Sequence, residues 1–339
     1  MKINLSLLVC TTILYFGCTA PVQTSVSVRE TVATAPAAGQ TEATYQVFYD
    51  ELAPFGRWVT YPEYGYVWVP NVGSGFRPYS TNGHWVYSNA GWTWVSNYNW
   101  GWAAFHYGRW LYEDTYGWVW LPGHEWAPAW VTWGHSGGYY GWAPLGPRIN
   151  VGDTWSPPSH YWTFVPQEHI NKPNIENYVI DRSRNEVIQK NITIINNHTV
   201  NVVNNNNTVI NNNSVTNNKI NNTAVNNNVT NNTVNNNNVT NNVAVNKTAV
   251  MNNNITNNNQ HINNTQFNSG PHVAEVEKAS NTHIEPVNIS EHNKPAQSTV
   301  TDNKLYMYRP AIMHEEKQKQ IQVNKPAPKN AEQYKPHNQ

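Results

Sequence analysis

The side chains that could do chemistry are histidines and carboxylates scattered through a tryptophan-rich region. Six histidines lie in or near it: His84, His106, His124, His135, His160 and His169. None has the paired spacing, with a carboxylate nearby, that metal-binding histidines show, and no cysteine accompanies them. We therefore expect no metal and no cofactor.

Four carboxylates of the same region could supply the acid–base pair of a glycoside hydrolase. They are Glu63, Glu113, Asp114 and Glu125. All four fall in or beside predicted turns, where acidic residues commonly serve solubility. The sequence contains no evident nucleophile motif and no phosphate-binding glycine loop. We therefore expect a protein that is not an enzyme and assign no catalytic residue, with a glycan-active hydrolase as the weakest alternative.

The aromatic side chains are the remaining candidates for recognition. All 16 tryptophans lie between Trp58 and Trp162. Flat indole and phenol rings can stack on the C–H faces of sugars, and polar residues in turns can bond the hydroxyls. The candidate glycan-stacking residues are Trp92, Trp94, Trp110, Tyr112, Trp118 and Trp120. Alternatively, the same rings pair across strands and only hold a sheet together.

A repeated unit must position these rings. Copies begin at Gly56, Gly83 and Gly108, and each has two short runs rich in Trp, Tyr and Val separated by a turn. Such a unit predicts a β-hairpin. Gly137-Gly138, followed by two tyrosines, indicates a fourth, degenerate hairpin. The predicted fold is all-β, with tandem Trp-rich antiparallel hairpins in one small domain over residues 45–170.

Alternation along each strand gives every hairpin two apolar faces. Trp92 and Trp94 share one face, whereas Thr93 and Val95 take the other. Either the aromatic faces form the core, or the aliphatic faces do and the aromatic rings form an exposed platform. The aliphatic set is too small to build a core alone, so at least some tryptophans must be buried. Both arrangements remain open at this point.

The N-terminus has the features of an export signal. Lys2 precedes an apolar run that ends at Gly17-Cys18, and this run is too short for a comfortable membrane span. The site resembles a bacterial lipobox, with a departure at Tyr15, where an aliphatic residue is usual. We expect residues 1–18 to be a lipoprotein signal peptide and Cys18 to be lipidated; a plain secretory signal is the alternative. Thr19 instead of Asp favours the outer membrane, and we expect its periplasmic face.

The segments around the Trp-rich domain differ from it in composition. Residues 19–44 are rich in Ala, Thr, Ser, Val and Pro and predict a flexible tether. Residues 171–190 predict a linker with a short helix. Residues 191–268 are about half Asn, with an apolar residue at every fifth position over long stretches. This arm is either a disordered low-complexity segment or a weak β-solenoid. Residues 269–339 are polar and interrupted by prolines, and predict a disordered tail.

Charge excludes one class of partner. The whole chain has a formal net charge of zero, and residues 45–170 contain four Arg, no Lys and eight acids. Aromatic rings without a basic groove argue against nucleic acid. We expect the membrane as a partner through the lipid anchor, and peptidoglycan or another envelope glycan if the rings are exposed. Protein partners are not indicated.

Several motifs resemble one family of exported bacterial proteins. They are Phe48–Trp58, Gly65–Pro70, Gly91–Ser96, Gly101-Trp102, His106–Trp110 and Gly141–Pro147. Together they are similar to the Trp-rich domain-of-unknown-function family 6600, although Ala104 stands where many members have Pro. The resemblance implies the fold and an exported location and brings no activity. The function expected from the sequence is a non-enzymatic cell-envelope lipoprotein acting as a structural or interaction module. A carbohydrate- or peptidoglycan-binding module is the alternative.

Overall fold

The computed structural model describes residues 43–203, 209–211, 214–219, 263–314 and 327–336. All of them lie within the second of the chain's two units, Thr31–Gln339. The predicted signal peptide and most of the tether lie outside the described residues, as does the middle of the Asn-rich arm. Within the described residues, no helix is both long enough and apolar enough to cross a membrane.

Strands dominate the fold. In chain order they are β1 (Gly56–Tyr61), β2 (Gly65–Pro70), β3 (Gly83–Ser88), β4 (Gly91–Ser96), β5 (Tyr107–Glu113), β6 (Gly117–Trp126), β7 (Val131–Ser136), β8 (Tyr139–Pro144), β9 (Thr163–Pro166), β10 (Thr193–Val203), β11 (Val209–Asn211), β12 (Ser214–Lys219), β13 (Asn263–Asn268), β14 (Asn288–His292), β15 (Thr299–Thr301), β16 (Lys304–Tyr308) and β17 (Glu332–Gln333).

The helices are short. The α-helices are α1 (Gln46–Leu52), α2 (Gly101–Ala104), α3 (Asn185–Gln189) and α4 (Val273–Ser280). Single 3-10 turns occupy Ala53–Phe55, Ser159–Tyr161, Gln167–His169, Ile175–Tyr178 and Arg182–Arg184. The predicted all-β class is therefore confirmed.

The three predicted hairpins and the degenerate fourth one all form. They are β1–β2, β3–β4, β5–β6 and β7–β8, each antiparallel and joined by a short turn. Each hairpin places one tryptophan directly opposite another across the strands. The pairs are Trp58 with Trp68, Trp85 with Trp94, Trp110 with Trp120, and Trp133 with Trp142. The repeat in the sequence is thus a repeat of cross-strand indole pairs, which stabilise a sheet by side-chain contact.

The hairpins assemble into larger sheets. One sheet has the order β17-β1-β2-β6-β5, and a second has the order β11-β10-β7-β8-β9, with β12 and β13 also paired to β10. The β3–β4 hairpin stands as a two-stranded sheet, and β14-β16-β15 form a three-stranded one. The start of the Asn-rich arm therefore extends the Trp-rich sheet, because β10 pairs with β7.

The aromatic faces of the hairpins point inward. Fifteen of the 16 tryptophans are buried, and they form one large cluster with α1 and the first turn of α2. The aliphatic face of the five-stranded sheet forms a separate, smaller cluster around Val59, Val67, Val69 and Val119. This settles the choice left open by the alternation: the aromatic rings make the main core. Each ring brings a buried surface of roughly 150–250 Å², which a few valines cannot supply.

The predicted disordered tail over 269–339 is wrong for residues 269–314. Here α4 and β14–β16 form, and Val276, Leu305 and Met307 are fully buried in the main cluster. The Trp92 indole Nε1 donates to the Pro271 carbonyl at 2.9 Å, which ties this segment to the hairpins. A few apolar residues in a polar sequence suffice here, because the aromatic cluster supplies most of the surface against which they pack.

Candidate functional site

The six predicted stacking residues do not form an exposed platform. Five of them are buried, with exposed fractions of 6% for Trp118 and at most 1% for the others, whereas Tyr112 is 41% exposed. Several are also bonded to the backbone: the indole Nε1 of Trp110 donates to Ala104, and that of Trp120 to Tyr107. A ring without solvent access cannot stack on a sugar in this conformation, so the predicted platform is wrong for the five tryptophans. They are instead the core that the alternative interpretation required.

Tyr112 remains at the surface with a different set of neighbours. Its ring lies 5.5 Å from that of Trp118 and 5.3 Å from that of His160, edge to face in both cases. Its backbone N–H donates to the Tyr161 hydroxyl at 2.9 Å. One exposed phenol beside a surface imidazole offers a small contact patch and no cleft.

Trp155 is the tryptophan that is not fully buried, and it lines a cavity of about 290 Å³. The cavity lies where the 146–156 loop faces β7, β10 and β13. Its apolar wall includes Val131, Leu145, Ile149 and Ile194, and its polar lining includes Asn150, Asp153, Asn196 and Asn268. This combination of a half-buried indole, an apolar wall and a few carboxylate and amide groups is typical of a small-ligand site.

Local hydrogen bonds hold the loop that carries Trp155. The Asp153 carboxylate accepts from the Asn150 backbone N–H at 2.7 Å, and the Trp155 N–H donates to the Asp153 carbonyl at 2.9 Å. The Trp155 ring rests edge-on against Tyr161, with ring centroids 6.1 Å apart. The indole is therefore supported on one side and partly open on the other.

The far wall of the cavity is held by a second set of bonds. The Asn268 side-chain amide donates to the Ile195 carbonyl, and its oxygen accepts from the Gly270 N–H at 3.0 Å. These contacts fix β13 against β10, on which Asn196 also lies. The position of Asn196 in the wall thus depends on chain segments more than 70 residues apart.

Trp155 is not among the site residues predicted from the sequence. One signal was available: it follows the hairpin repeats, in a segment rich in Pro, Ser and Gly, and has no Trp partner in a hairpin. This signal is weak, because Trp102, Trp130 and Trp162 also have no Trp partner in a hairpin and are nevertheless buried.

Two of the four carboxylates considered for hydrolysis, Glu113 and Glu125, have structural contacts. Glu113 accepts from the backbone N–H groups of Thr115 and Tyr116 at 2.8 and 3.0 Å, and so closes the turn of its own hairpin. Glu125 is half-buried beside Arg109, and burial raises its pKa above the ordinary carboxylate value, while the nearby Arg109 charge opposes this.

Histidines and arginines of the core serve packing. His106 is fully buried, its Nδ1 is 3.0 Å from the Ala127 carbonyl, and burial lowers its pKa to about 4. Arg309 is 1% exposed, pairs with Glu291 and lies over the Trp126 ring at 4.6 Å. Within the described part of the chain, no group of three or more His, Cys, Asp or Glu residues is arranged to hold a metal ion.

Comparison with known proteins identifies the hairpin region. Residues 49–149 match the model of a family of unknown function, DUF6600. The expected resemblance to DUF6600 is therefore confirmed for these residues of the Trp-rich region. Neither the curated proteins nor the solved structures contain a match to this chain. The DUF6600 segment spans β1–β8 and ends at Ile149, so Trp155, β10 and β13 complete the cavity from outside it.

Proposed function

We propose that this protein is a non-enzymatic module of the bacterial cell envelope, whose Trp-rich body acts as a rigid structural and interaction unit. The observation that carries the proposal is the burial of 15 tryptophans in one cluster. Several of their indole N–H groups are also bonded to backbone carbonyls, for example those of Trp68 and Trp142. Side chains committed to packing in this way serve shape and stability, and they leave recognition to the surface.

The proposed location in the outer membrane rests on the N-terminal sequence. A lipid on Cys18 would anchor the protein in the outer membrane, and residues 19–44 would act as a tether with a reach of roughly 28 Å. Palmitate labelling of cells with membrane fractionation tests this. We expect label on the native protein and none on Cys18→Ala; a Cys18→Ala protein that still takes up label would refute the anchor.

A second candidate function, glycan binding, is favoured by the cavity beside Trp155. Its indole can stack on the C–H face of a pyranose ring, while the free oxygen of Asp153 and the Asn196 amide can bond hydroxyls. A volume of about 290 Å³ is at the small end of ligand sites and suits one sugar ring, such as the end of a chain or a single residue of it. In this candidate function the aromatic contact to the sugar lies on the loop at 146–156 instead of on the hairpin faces.

Tryptophan emission of the intact protein against peptidoglycan fragments and oligosaccharides tests this candidate. We expect mostly blue-shifted emission that iodide does not quench, with a small quenchable fraction lost in Trp155→Phe. Glycan binding predicts a saturable emission change that Trp155→Phe loses and Tyr112→Ala keeps. If no glycan changes the emission of the native protein, the cavity candidate fails and the structural module remains.

The same ligands separate binding from hydrolysis. A non-enzymatic module leaves every glycan intact during long incubation. Turnover that disappears in Glu125→Gln or Glu113→Gln would contradict the proposal and restore the hydrolase alternative.

A further inference from the structure

The edge of the five-stranded sheet is occupied by the chain's own C-terminal segment, residues 327–336. Strand β17 lies parallel to β1, with Val59 opposite Glu332 and Thr60 opposite Gln333. The Tyr334 N–H continues this pairing by donating to the Thr60 carbonyl at 3.2 Å. An unpaired strand edge accepts any extended chain that matches it, so β1 has the form of a strand-addition site.

Side chains make the pairing selective. The Tyr334 ring packs 4.6 Å from the Tyr61 ring, and its hydroxyl donates to the Glu113 carboxylate at 3.0 Å. Glu332 lies 3.6 Å from Arg57. These contacts lie on the aliphatic face of the sheet, where Tyr334 packs against the valine cluster. The site therefore favours a segment in which an acidic residue is followed two positions later by a tyrosine.

These contacts are few in number and exposed to solvent. No residue of 327–336 is buried, and the Arg57 and Glu332 side chains are 48% and 59% exposed. An ion pair that exposed adds little to stability. The remaining contacts of the segment are the Lys335 N–H, which donates to the Tyr116 hydroxyl at 3.0 Å, and the Tyr334 ring, which lies 6.0 Å from that of Tyr116. Two paired residues and one tyrosine with its neighbours bury little surface, and exposed edge pairings are among the first to open in a native protein.

We propose that the β1 edge is an exchangeable strand-acceptor site, which takes residues 327–336 either from the same chain or from a second copy of it. Twelve residues, 315–326, join the segment to the preceding described part of the chain. Fully extended, such a connection spans about 40 Å, enough to reach a neighbour. The second copy is the partner that fits, because it presents the same Glu332 and Tyr334 to the same Arg57, Tyr61 and Glu113.

Within a dilute monomer the tethered segment outcompetes its copies. A connection of only twelve residues gives an effective concentration in the millimolar range, so we expect the segment to pair within its own chain when the protein is dilute. Crowding of copies on one surface raises the competing concentration and favours exchange. Head-to-tail chains of copies follow, because donor and acceptor are different parts of the surface.

Disulfide trapping in the full chain, with Cys10 and Cys18 replaced by serine, tests exchange. One chain carries Thr60→Cys and the other Gln333→Cys, the two positions that face each other across the pair. A chain with both changes shows that the geometry closes within one molecule. The matched control replaces Gln333→Cys with Thr299→Cys, an exposed position on strand β15.

We expect the double variant to close its intramolecular disulfide and the mixture of single variants to accumulate linked dimer well above the control mixture. Adding Tyr334→Ala to the donor chain should lower the rate of linking about tenfold, through loss of its hydrogen bond and ring contact. If the double variant forms its intramolecular disulfide but the mixture forms linked dimer no faster than the control mixture, residues 327–336 stay paired within their own chain and the proposal fails. If the double variant does not close, the pairing itself is refuted.

Discussion

Two glycines of the β5–β6 hairpin share one backbone conformation and differ in their surroundings. Gly108 has φ +73° and Gly117 has φ +71°, both in the left-handed region. A Cβ added at Gly117 meets no atom within 4 Å, whereas one at Gly108 would lie 1.9 Å from the Leu121 carbonyl oxygen. Replacing each with alanine therefore separates the cost of the conformation from the cost of the close approach.

The shared cost is modest. A left-handed conformation costs an alanine about 1–2 kcal/mol, and the lower entropy of the unfolded alanine chain offsets about 0.4–1 kcal/mol. We expect Gly117→Ala to lower the free energy of unfolding by about 1 kcal/mol.

The close approach adds a second cost only at Gly108. The Leu121 carbonyl must move by more than 1 Å to reach an ordinary van der Waals contact, which begins at about 3.4 Å. That shift strains the register change between Tyr107 and Arg109 and weakens the pairing of Arg109 with Leu121. Overpacking costs about 1–3 kcal/mol and a lost backbone hydrogen bond about 1 kcal/mol. Gly108→Ala should thus lose about 2–4 kcal/mol more than Gly117→Ala.

Equilibrium unfolding in urea, followed by far-ultraviolet circular dichroism and by tryptophan emission, measures both variants against the native protein. Coincident transitions and an unchanged denaturant slope are needed to compare the free energies. Losses that agree within about 0.5 kcal/mol would refute the reasoning, because they would mean that conformation alone makes position 108 a glycine.

The remaining predictions concern the core. In the same urea assay, Trp120→Ala should lower the free energy of unfolding by about 3–5 kcal/mol and Trp155→Ala by less than half as much. The reason is that only the Trp120 ring is fully enclosed, and equal losses would contradict this. His106 has a folded pKa of about 4 against an unfolded value near 6.5, so the unfolded chain binds the proton first and stability should fall by about 3 kcal/mol as pH drops from 6.5 to 4. His106→Phe should flatten that slope, and an unchanged slope would assign it to other groups. Glu291→Gln should lower the free energy of unfolding by about 3 kcal/mol, because it leaves the buried Arg309 charge poorly paired. Adding Arg309→Met should recover part of this loss. A double variant that is no more stable than Glu291→Gln alone would contradict the pairing.

Neither the cavity beside Trp155 nor the strand-acceptor edge of β1 could be predicted from the sequence, and the physical reason is the same for both. Trp155 faces Ile194 and Asn196, and Tyr61 faces Tyr334, and each contact joins segments far apart in the chain. Nothing in the spacing of Glu332 and Tyr334 identifies β1 as their partner. Long-range pairing depends on which surfaces the finished core leaves open, and a local pattern does not contain that information.

The sequence by itself determined the hairpins. Gly, Trp and β-branched residues at a spacing of two, interrupted by turn residues, specify a strand, a turn and a returning strand through contacts only a few residues apart, and all four hairpins appear where the pattern places them. Only the tertiary structure decided which face is core. Both faces are apolar, so alternation could not rank them, and the answer came from volume: the rings of Trp94 and Trp120 fill an interior that the valines on the opposite face are too few to fill. Phe267 and Leu305, which come from polar parts of the sequence, are also buried in this interior, whereas Trp155 is only half-buried.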